Sequence, residues 1–343
     1  METYRGHKGR LSLDTSMSGE AGARSTGSRK ASVRRPVSQL SYLEAIVVGA
    51  FQGVTELFPV SSLGHSVLVP ALVGGRWARD LDVSAPESPY LAFIVGLHVA
   101  TAAALLVFFW RDWIRIITGF ASSVRHRRIG SPAERLAWLL VVGTIPVGIS
   151  GLLLDHLFRT TLGRPIPAAA FLTANGLVLY LGEQLRKRAD AATLSPVAAA
   201  DAPGSARDAG AAADARLSRM SLGRGTLIGA AQILALLPGI SRSGATMVAG
   251  LLRGLSHEDA ARFSFLLATP VILAAGALKI PDLTGPLGAG IHGPIIAGSI
   301  ASLVSAYLAV RFLTRYFETR TLTPFAIYCA VFGAASLIWL LAH

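Results

Sequence analysis

GAFQGVTELFPVSSLGHSVLVPALVG (residues 49–74) and GAAQILALLPGISRSGATMVAGLLRG (residues 229–254) are the two stretches that decide the fold of this chain. With an offset of 180 residues they share eight identities, which are Gly49/Gly229, Ala50/Ala230, Gln52/Gln232, Leu57/Leu237, Ser61/Ser241, Gly64/Gly244, Leu72/Leu252 and Gly74/Gly254. Both stretches are apolar but broken, by residues 58–62 in the first and 238–243 in the second. Non-helical backbone at membrane depth is tolerated only inside protein or beside a wet cavity. We therefore predict two re-entrant hairpins, each with two short helices around a polar hinge.

The whole chain has the composition of a membrane protein. Of its 343 residues, 52% are hydrophobic and only 15% are charged, whereas a soluble domain carries about a quarter charged residues. Apolar runs long enough to cross a bilayer, which takes roughly 20 residues, occur at 91–110, 134–154, 167–184, 262–280, 294–312 and 323–342. The sequence thus predicts an all-α polytopic membrane protein with six transmembrane helices plus the two re-entrant broken-helix hairpins.

The hairpins divide the chain into two repeats. Three spans separate them, so the second hairpin enters from the opposite membrane face; this is an inverted-topology repeat whose hinges can meet near the midplane. Chance similarity between Gly-, Ala- and Leu-rich segments is the alternative. We predict a disordered basic tail over 1–38 and a single transmembrane domain over 39–342. That domain comprises repeat one (about 40–184), a polar linker with little fixed structure (186–222) and repeat two (about 223–342).

The net charge of +12 is explained by membrane topology rather than by nucleic-acid binding, because Lys and Arg gather in the tail and between apolar runs. Segments 111–135, 186–224 and 313–322 are basic, whereas 155–166 has two Arg and 281–293 has no Lys or Arg. The positive-inside rule places the three basic segments in the cytoplasm and opens the first hairpin outward. The basic tail alone favours the opposite orientation, and we give the three concordant segments more weight.

Ionisable residues within apolar segments are costly and mark functional sites. Glu56 and His65 flank the first hinge, and Arg242 lies in the second. Ser62 and His65 are three residues apart and share a helix face, so a Ser–His pair with a nearby carboxylate provides the groups of nucleophilic catalysis. Glu56 is equally suited to activating water, holding the imidazole, or ligating a cation together with Gln52.

The same hinges are suited to binding phosphate. Arg242 offers a planar fork that matches phosphate oxygens. Ser61 and Ser241 stand where helix caps are expected, and the half-helices that follow would direct their N-terminal N–H groups at the hinge, which favours anions. A proton relay, a transporter ion site or a simple cap would explain any one residue alone. Their joint occurrence in two matching hinges favours a phosphate-binding catalytic centre.

Both hinge motifs resemble those of a known family. Gln52-Gly-Val-Thr-Glu56 with Pro59-Val-Ser-Ser-Leu-Gly-His65, and Pro238-Gly-Ile-Ser-Arg-Ser-Gly-Ala-Thr246, are similar to the motifs of the undecaprenyl-diphosphatase family, also called bacitracin-resistance proteins. The resemblance covers about residues 40–342. It implies a multi-pass phosphatase of the bacterial plasma membrane that hydrolyses undecaprenyl diphosphate to undecaprenyl phosphate and inorganic phosphate. Such an enzyme recycles the lipid carrier for cell-wall synthesis and confers bacitracin resistance. The orientation inferred above from the positive-inside rule would open its active site to the extracytoplasmic side.

The resemblance also implies residue roles. The catalytic positions are matched by Glu56, Ser62, His65 and Arg242, and the phosphate-binding positions by Ser241, Ser243 and Thr246, to which we add Ser61. We expect Ser62 to attack the terminal phosphorus while Glu56 or His65 takes its proton. Direct attack by His65 or by water is the alternative.

Cofactors and partners follow from the same resemblance. Family members are often reported to need a divalent cation, so Mg²⁺ or Ca²⁺ held by Gln52 and Glu56 is expected, although Gln52 replaces a frequent Glu; no organic cofactor is expected. The partners are a polyprenyl diphosphate lipid and the bilayer, without nucleic acid, and a homo-oligomer is compatible with the sequence. A polyprenyl-phosphate transporter or flippase is the rival function, because inverted repeats with interrupted helices are also transporter architecture. We interpret His98 as a satisfied core histidine and Cys329 as a small buried hydrophobe.

Overall fold

The computed structural model describes residues 40–75, 81, 89–157, 162–192, 206–284 and 291–343. The predicted tail, 1–38, lies outside these residues, and Ser38–His343 falls into one compact unit. Within the described residues the helices are α1 Tyr42–Leu57, α2 Ser62–Val73, α3 Pro89–Phe108, α4 Trp110–His126, α5 Pro132–Leu157, α6 Pro165–Ala192, α7 Ala206–Ser218, α8 Leu222–Ala230, a 3-10 helix Ala231–Leu236, α9 Arg242–Leu251, α10 His257–Thr284, α11 His292–Thr319 and α12 Thr323–Ala342.

Helices lie at all six positions predicted as spans, which confirms an all-α polytopic membrane protein. Five described helices are long and apolar enough to cross a membrane, namely α5, α6, α10, α11 and α12. The sixth span is α3, which continues into α4 after a bend of 87° and passes the same test only together with it. Both predicted hairpins are present as broken helices, α1 with α2 and α8 with α9.

The basic segment 111–135 was expected to be a cytoplasmic loop, and most of it is instead helix α4. Its apolar side chains recur at helical spacing, at Trp113, Ile116, Ile117 and Phe120, while Arg111, Arg115 and Arg125 occupy other positions. A helix with one apolar and one basic face is stable in the plane of a membrane interface. The sharp bend after α3 is consistent with such a change of direction.

The expectation of little fixed structure over 186–222 was wrong for its described part. α6 continues to Ala192, and α7 and the start of α8 occupy the end of the segment. α7 is held by ion pairs: Asp214, which is buried, lies 2.9 Å from Arg115 and 2.8 Å from Arg262, and Arg216 lies 2.8 Å from Asp259. These partners come from α4 and α10, so their positions along the sequence gave no sign that they would order this segment.

The two repeats pack on each other reciprocally. α1 of the first hairpin lies along α11, and α8 of the second hairpin lies along α5. The equivalent spans also meet in pairs, α3 with α10 and α6 with α12. This exchange is the arrangement expected for two repeats related by a two-fold axis.

Glycines at equivalent positions permit the hairpin contacts. A Cβ on Gly49 would collide with the backbone of Gly298 in α11, and a Cβ on Gly229 would collide with the backbone of Gly143 in α5. Gly49 and Gly229 are one of the identical pairs of the internal repeat. Small residues let helices approach closely in membranes, where packing rather than the hydrophobic effect drives association. The internal repeat therefore encodes the same helix contact twice.

We expect Gly49→Ala and Gly229→Ala each to destabilise the protein by about 1–3 kcal/mol, since the added methyl group meets backbone that cannot rotate away. Thermal unfolding of the detergent-solubilised protein measures this. Gly148→Ala in α5 is the control, because a Cβ there meets nothing within 4 Å. Equal melting temperatures for all three variants would contradict the proposed contacts.

Candidate active site

The first hinge presents Ser62 at the start of a helix. α1 ends at Leu57, and Phe58 is extended (φ −66°, ψ 145°), as expected for the residue before a proline. Ser61 caps α2 with its Oγ, which accepts a hydrogen bond from Gly64 N at 3.2 Å. Ser61 has φ +68°, a conformation that costs a non-glycine residue about 1–3 kcal/mol and is often found at functional sites.

The second hinge uses the same device to present Arg242. The 3-10 helix ends at Leu236, two residues before Pro238, and Gly239 turns the chain with φ +113°. Ser241 then caps α9, and its Oγ accepts a hydrogen bond from Gly244 N at 3.2 Å. Arg242 is consequently the first residue of its half-helix, as Ser62 is of α2.

The two hinges touch. Gly239 N donates to Ser61 Oγ at 3.2 Å, and Ser243 Oγ donates to Phe58 O at 3.1 Å. A Cβ on Gly64 would lie only 2.8 Å from Gly239 Cα, and a Cβ on Gly239 would lie 2.4 Å from Ala168 O of α6, so neither glycine leaves room for a side chain. The hinges are thus fixed against each other through backbone and hydroxyl groups.

Asn175 of α6, which the sequence analysis missed, ties both hinges together. Its side chain is fully buried. Nδ2 donates to Pro59 O of the first hinge at 3.1 Å, and Oδ1 accepts from Ser241 N of the second at 3.0 Å. Cys329, buried as expected, lies 3.3 Å from the same Nδ2. Ionisable groups within apolar spans mark functional sites in a sequence, whereas a neutral amide gives no such signal.

Asn175→Leu should reduce both stability and the phosphate release that the sequence resemblance implies, because it leaves a buried N–H and a buried C=O unpaired at about 1–3 kcal/mol each. Thr173→Val is the matched control. Thr173 lies two residues before Asn175 in α6, and its hydroxyl donates a hydrogen bond within its own helix, to Ala169 O. Melting temperature and rate are measured together. An Asn175→Leu protein that behaves like Thr173→Val would show that the amide does not hold the hinges.

Glu56 is the centre of the polar cluster. Its carboxylate is buried, with Oε1 2.5 Å from Arg242 Nη2. Oε2 accepts hydrogen bonds from Ser62 Oγ and, at 3.0 Å, from Gln52 Nε2. Breaking a buried ion pair by removing one partner typically costs about 3–5 kcal/mol. The pair therefore links the hinges strongly as well as supplying charge to the site.

His65 was expected to act beside Ser62, and the structure directs its side chain elsewhere. Nδ1 donates to Ser61 O at 2.7 Å, and Nε2 lies 2.8 Å from the hydroxyl of Tyr328. The ring stacks on Tyr328 and on Phe332, with centroids 5.7 and 5.2 Å away. His65 is buried and does not border the cavity described below. These contacts support the carbonyl of the strained residue Ser61.

His98, rather than His65, is the histidine that contacts Glu56 and borders the cavity, which contradicts its interpretation as a core histidine. Its Nε2 lies 3.2 Å from Glu56 Oε2 and 3.3 Å from Gln52 Nε2. Nδ1 donates to Ile94 O at 2.8 Å, which fixes the ring. An ionisable side chain within a predicted span is itself a functional signal, and weighting that signal more heavily would have found this residue.

We expect His98→Leu to lower kcat/KM for the implied diphosphate hydrolysis by at least about tenfold while the protein remains folded, since a leucine fills the space but loses the contact to Glu56. Phosphate release and melting temperature are the measurements. Thr101→Val, one turn further along α3, is a matched control because Thr101 is buried away from the cavity. Full activity in His98→Leu would show that His98 lines the cavity without contributing to the reaction.

The structure separates the four residues predicted to bind phosphate into two pairs. Ser61 and Ser241 border the cavity next to Arg242. Ser243 and Thr246 do not; Ser243 Oγ bonds to the first hinge, and Thr246 Oγ1 donates to Arg242 O at 2.7 Å. The second pair thus contributes to hinge contact and to the backbone of α9.

A cavity of about 300 Å³ lies against these groups. Glu56, Ser62, His98 and Arg242 form its polar end. Its other walls come from α3, α5, α10, the 3-10 helix and the second hinge; they include Gln232 but are otherwise mostly apolar, with Ile94, Val147, Leu236, Ile240 and Ile272 among the lining residues. A polar end with apolar walls fits an amphiphile whose charged head reaches the hinges.

The expected cation ligands are adjacent. Gln52 turns its amide nitrogen toward Glu56, and its Oε1 is buried with no partner in the described part of the chain. Among the described residues there is no cluster of three or more His, Cys, Asp or Glu side chains that could hold a metal ion. The oxygens of Glu56 and Gln52 are nevertheless of the type that Mg²⁺ and Ca²⁺ prefer.

Fold and site together define a polytopic membrane protein in which two broken helices form a buried, charged centre beside an apolar cavity. The family model described as Bacitracin resistance protein BacA matches residues 45–335. Relatives named "Undecaprenyl-diphosphatase" from Mycolicibacterium paratuberculosis and "Undecaprenyl-diphosphatase 1" from Frankia casuarinae are 74% and 54% identical; each alignment covers 88% of this chain, and 98% and 99% of the relative. "Undecaprenyl-diphosphatase 2" from Chromobacterium violaceum is 40% identical over 88% of this chain and 99% of its own length. The chain belongs to the BacA family.

Proposed function

We propose that this protein hydrolyses undecaprenyl diphosphate to undecaprenyl phosphate and inorganic phosphate. The observation that carries the proposal is the contact of Ser62 and Arg242, from the two hinges, with the same carboxylate, Glu56, at the polar end of an apolar cavity. The relatives' names, at up to 74% identity over most of both chains, support the same activity. In the bacterial cell this reaction recycles the lipid carrier of cell-wall synthesis and confers bacitracin resistance.

Arg242 is suited to holding the diphosphate without releasing Glu56. Its Nη2 is engaged with the carboxylate, whereas its Nη1 is buried and has no hydrogen-bond partner among the described residues. A buried donor without a partner costs about 1–3 kcal/mol, and a phosphate oxygen in the cavity would remove that cost. The backbone N–H groups at the starts of α2 and α9 add further donors, as is common for anion sites at helix N-termini.

Ser62 is the nucleophile in this mechanism and Glu56 the base. Ser62 Oγ already donates to Glu56 Oε2, so the proton passes to Glu56 as Oγ attacks the terminal phosphorus and undecaprenyl phosphate leaves. Water then attacks the phosphoserine, and the proton on Glu56 returns to Ser62 Oγ as phosphate departs. His65 is not used as a base, because its two ring nitrogens face Ser61 and Tyr328.

A divalent cation fits the site as an addition to these groups. Glu56 and Gln52 Oε1 are the groups that would hold Mg²⁺ or Ca²⁺. When bound, the cation would neutralise charge on the diphosphate.

We also propose the orientation. The basic residues of α4, of the end of α6 and of the turn between α11 and α12 lie in the cytoplasm by the positive-inside rule. The site of this plasma-membrane protein would then open to the extracytoplasmic side.

The decisive measurement is phosphate release from undecaprenyl diphosphate by the purified protein in detergent. Glu56→Gln, Ser62→Ala and Arg242→Lys should each lower the rate by at least about a hundredfold, because base, nucleophile or forked phosphate ligand is lost. Glu258→Gln is the control, since Glu258 pairs with Arg216 on an exposed surface. Near-normal turnover by Ser62→Ala would exclude the serine route.

The same measurement separates the enzyme from the rival transporter. A transporter predicts movement of polyprenyl phosphate between leaflets of sealed vesicles and no phosphate release in detergent. The three relatives described above are named as diphosphatases, and no observation favours the transporter.

A further inference from the structure

A second cavity, of about 380 Å³, lies beside the catalytic one. α4, α5 and α10 form it, and we call it the side groove; its lining includes Trp113, Ile117, Phe120, Val141, Thr144 and Ala274. Among the described residues, no charged side chain lines it. The hydroxyl of Thr144 is satisfied within α5, where it donates to Leu140 O at 2.8 Å. The side groove is therefore suited to a purely apolar occupant.

The side groove and the catalytic cavity share two walls. On α5, Thr144 lines the groove and Val147, about one turn further, lines the catalytic cavity. On α10, Ala274 lines the groove and its neighbour Ala275 lines the catalytic cavity. An apolar chain that leaves the polar end between α5 and α10 thus meets the groove next.

The groove is open along its length as well as concave. Ile117 is 59% exposed, Val141 39% and Phe120 36%, so a chain can enter from the side without threading through the protein. Within a bilayer such a groove gains little from the hydrophobic effect, since lipid tails are equally apolar, and selects by van der Waals fit. Methyl-branched chains and straight acyl chains differ in that fit.

We propose that the side groove binds the prenyl chain of the lipid substrate beyond the part that lies in the catalytic cavity. This rests on the proposed function, because it takes the ligand to be a prenyl diphosphate. The side groove then makes the enzyme selective for long chains, since a short chain ends inside the catalytic cavity and makes no contact with the groove.

Ala274→Phe fills the groove, and Ala277→Phe is its matched control. Both alanines are exposed on α10, and Ala277 lines neither cavity. In detergent, Ala274→Phe should raise KM for undecaprenyl diphosphate by about tenfold and leave farnesyl diphosphate hydrolysis within about twofold of wild type. Ala277→Phe should change neither substrate. Equal KM values for the long substrate in the two variants would overturn the proposal.

Labelling with a photoreactive polyprenyl phosphate tests the groove independently of hydrolysis. Peptide mapping should place the label on α4, α5 or α10 in wild type and in Ala277→Phe, and Ala274→Phe should lose it. Label at this place without phosphate release would remove the proposed function and keep the groove. Phosphate release with label elsewhere, or spread as for bulk lipid, would keep the function and remove the groove.

Discussion

The pairing of Glu56 with Arg242 is the interaction on which the rest of the structure depends. A carboxylate and a guanidinium at membrane depth are tolerated only together and only inside protein. Glu56 belongs to the first hairpin and Arg242 to the second, and they lie 2.5 Å apart. The two hinges must therefore meet, and the helices that carry them must pack as α1 does on α11 and α8 on α5. The ion pair requires the two hinges to meet, and the glycines at the helix crossings let the helices approach closely enough for this.

At the hinges the helices are interrupted, so backbone N–H and C=O groups lack the hydrogen bonds that a continuous helix would provide. Serine hydroxyl groups and one side-chain amide bond to them instead. Ser61 and Ser241 cap the helices that follow, Ser243 bonds to Phe58 O, and Asn175 bonds to both hinges. In a medium without water, each unsatisfied N–H or C=O would cost several kcal/mol. Residues that look like phosphate ligands in the sequence can thus be structural, as Ser243 and Thr246 are in their present contacts. Ser62 and Arg242 are left to face the cavity because both stand first in their helices.

The sequence was sufficient for the six spans, the two broken hairpins and the contact of the hinges, because each depends on apolar length, on Pro and Gly, or on an internal identity such as Gly49/Gly229. It was insufficient where a partner comes from a distant element. α7 is held by the ion pairs of Asp214 with Arg115 and Arg262. These residues are far apart in the sequence, so their spacing does not predict the pairs. His65 and Ser62 have the spacing of a helix face, yet the His65 ring turns to Tyr328. His98 and Asn175 lie on spans α3 and α6, and the sequence does not predict which face of each span is turned toward the hinges.

The internal repeat also explains why a two-fold framework can hold an asymmetric reaction. With the offset of 180 residues, Ser62 is equivalent to Arg242, and Glu56 is equivalent to Leu236. Ser62, the proposed nucleophile, and Arg242, the proposed phosphate ligand, thus occupy matching first positions of two half-helices and border the same cavity. A phosphorus atom between them would have the attacking oxygen of Ser62 on one side and the guanidinium of Arg242 on the other. The guanidinium would stabilise the negative charge of the phosphate oxygens during displacement. Glu56, the proposed base, is replaced by Leu236 in the second repeat, so the proposed mechanism assigns the attack to Ser62 of the first repeat. By contrast, Gln52 and Gln232 occupy equivalent positions, and each has a buried Oε1 without a partner in the described part of the chain, so the two repeats are alike beside the centre and differ in the charged groups that form it.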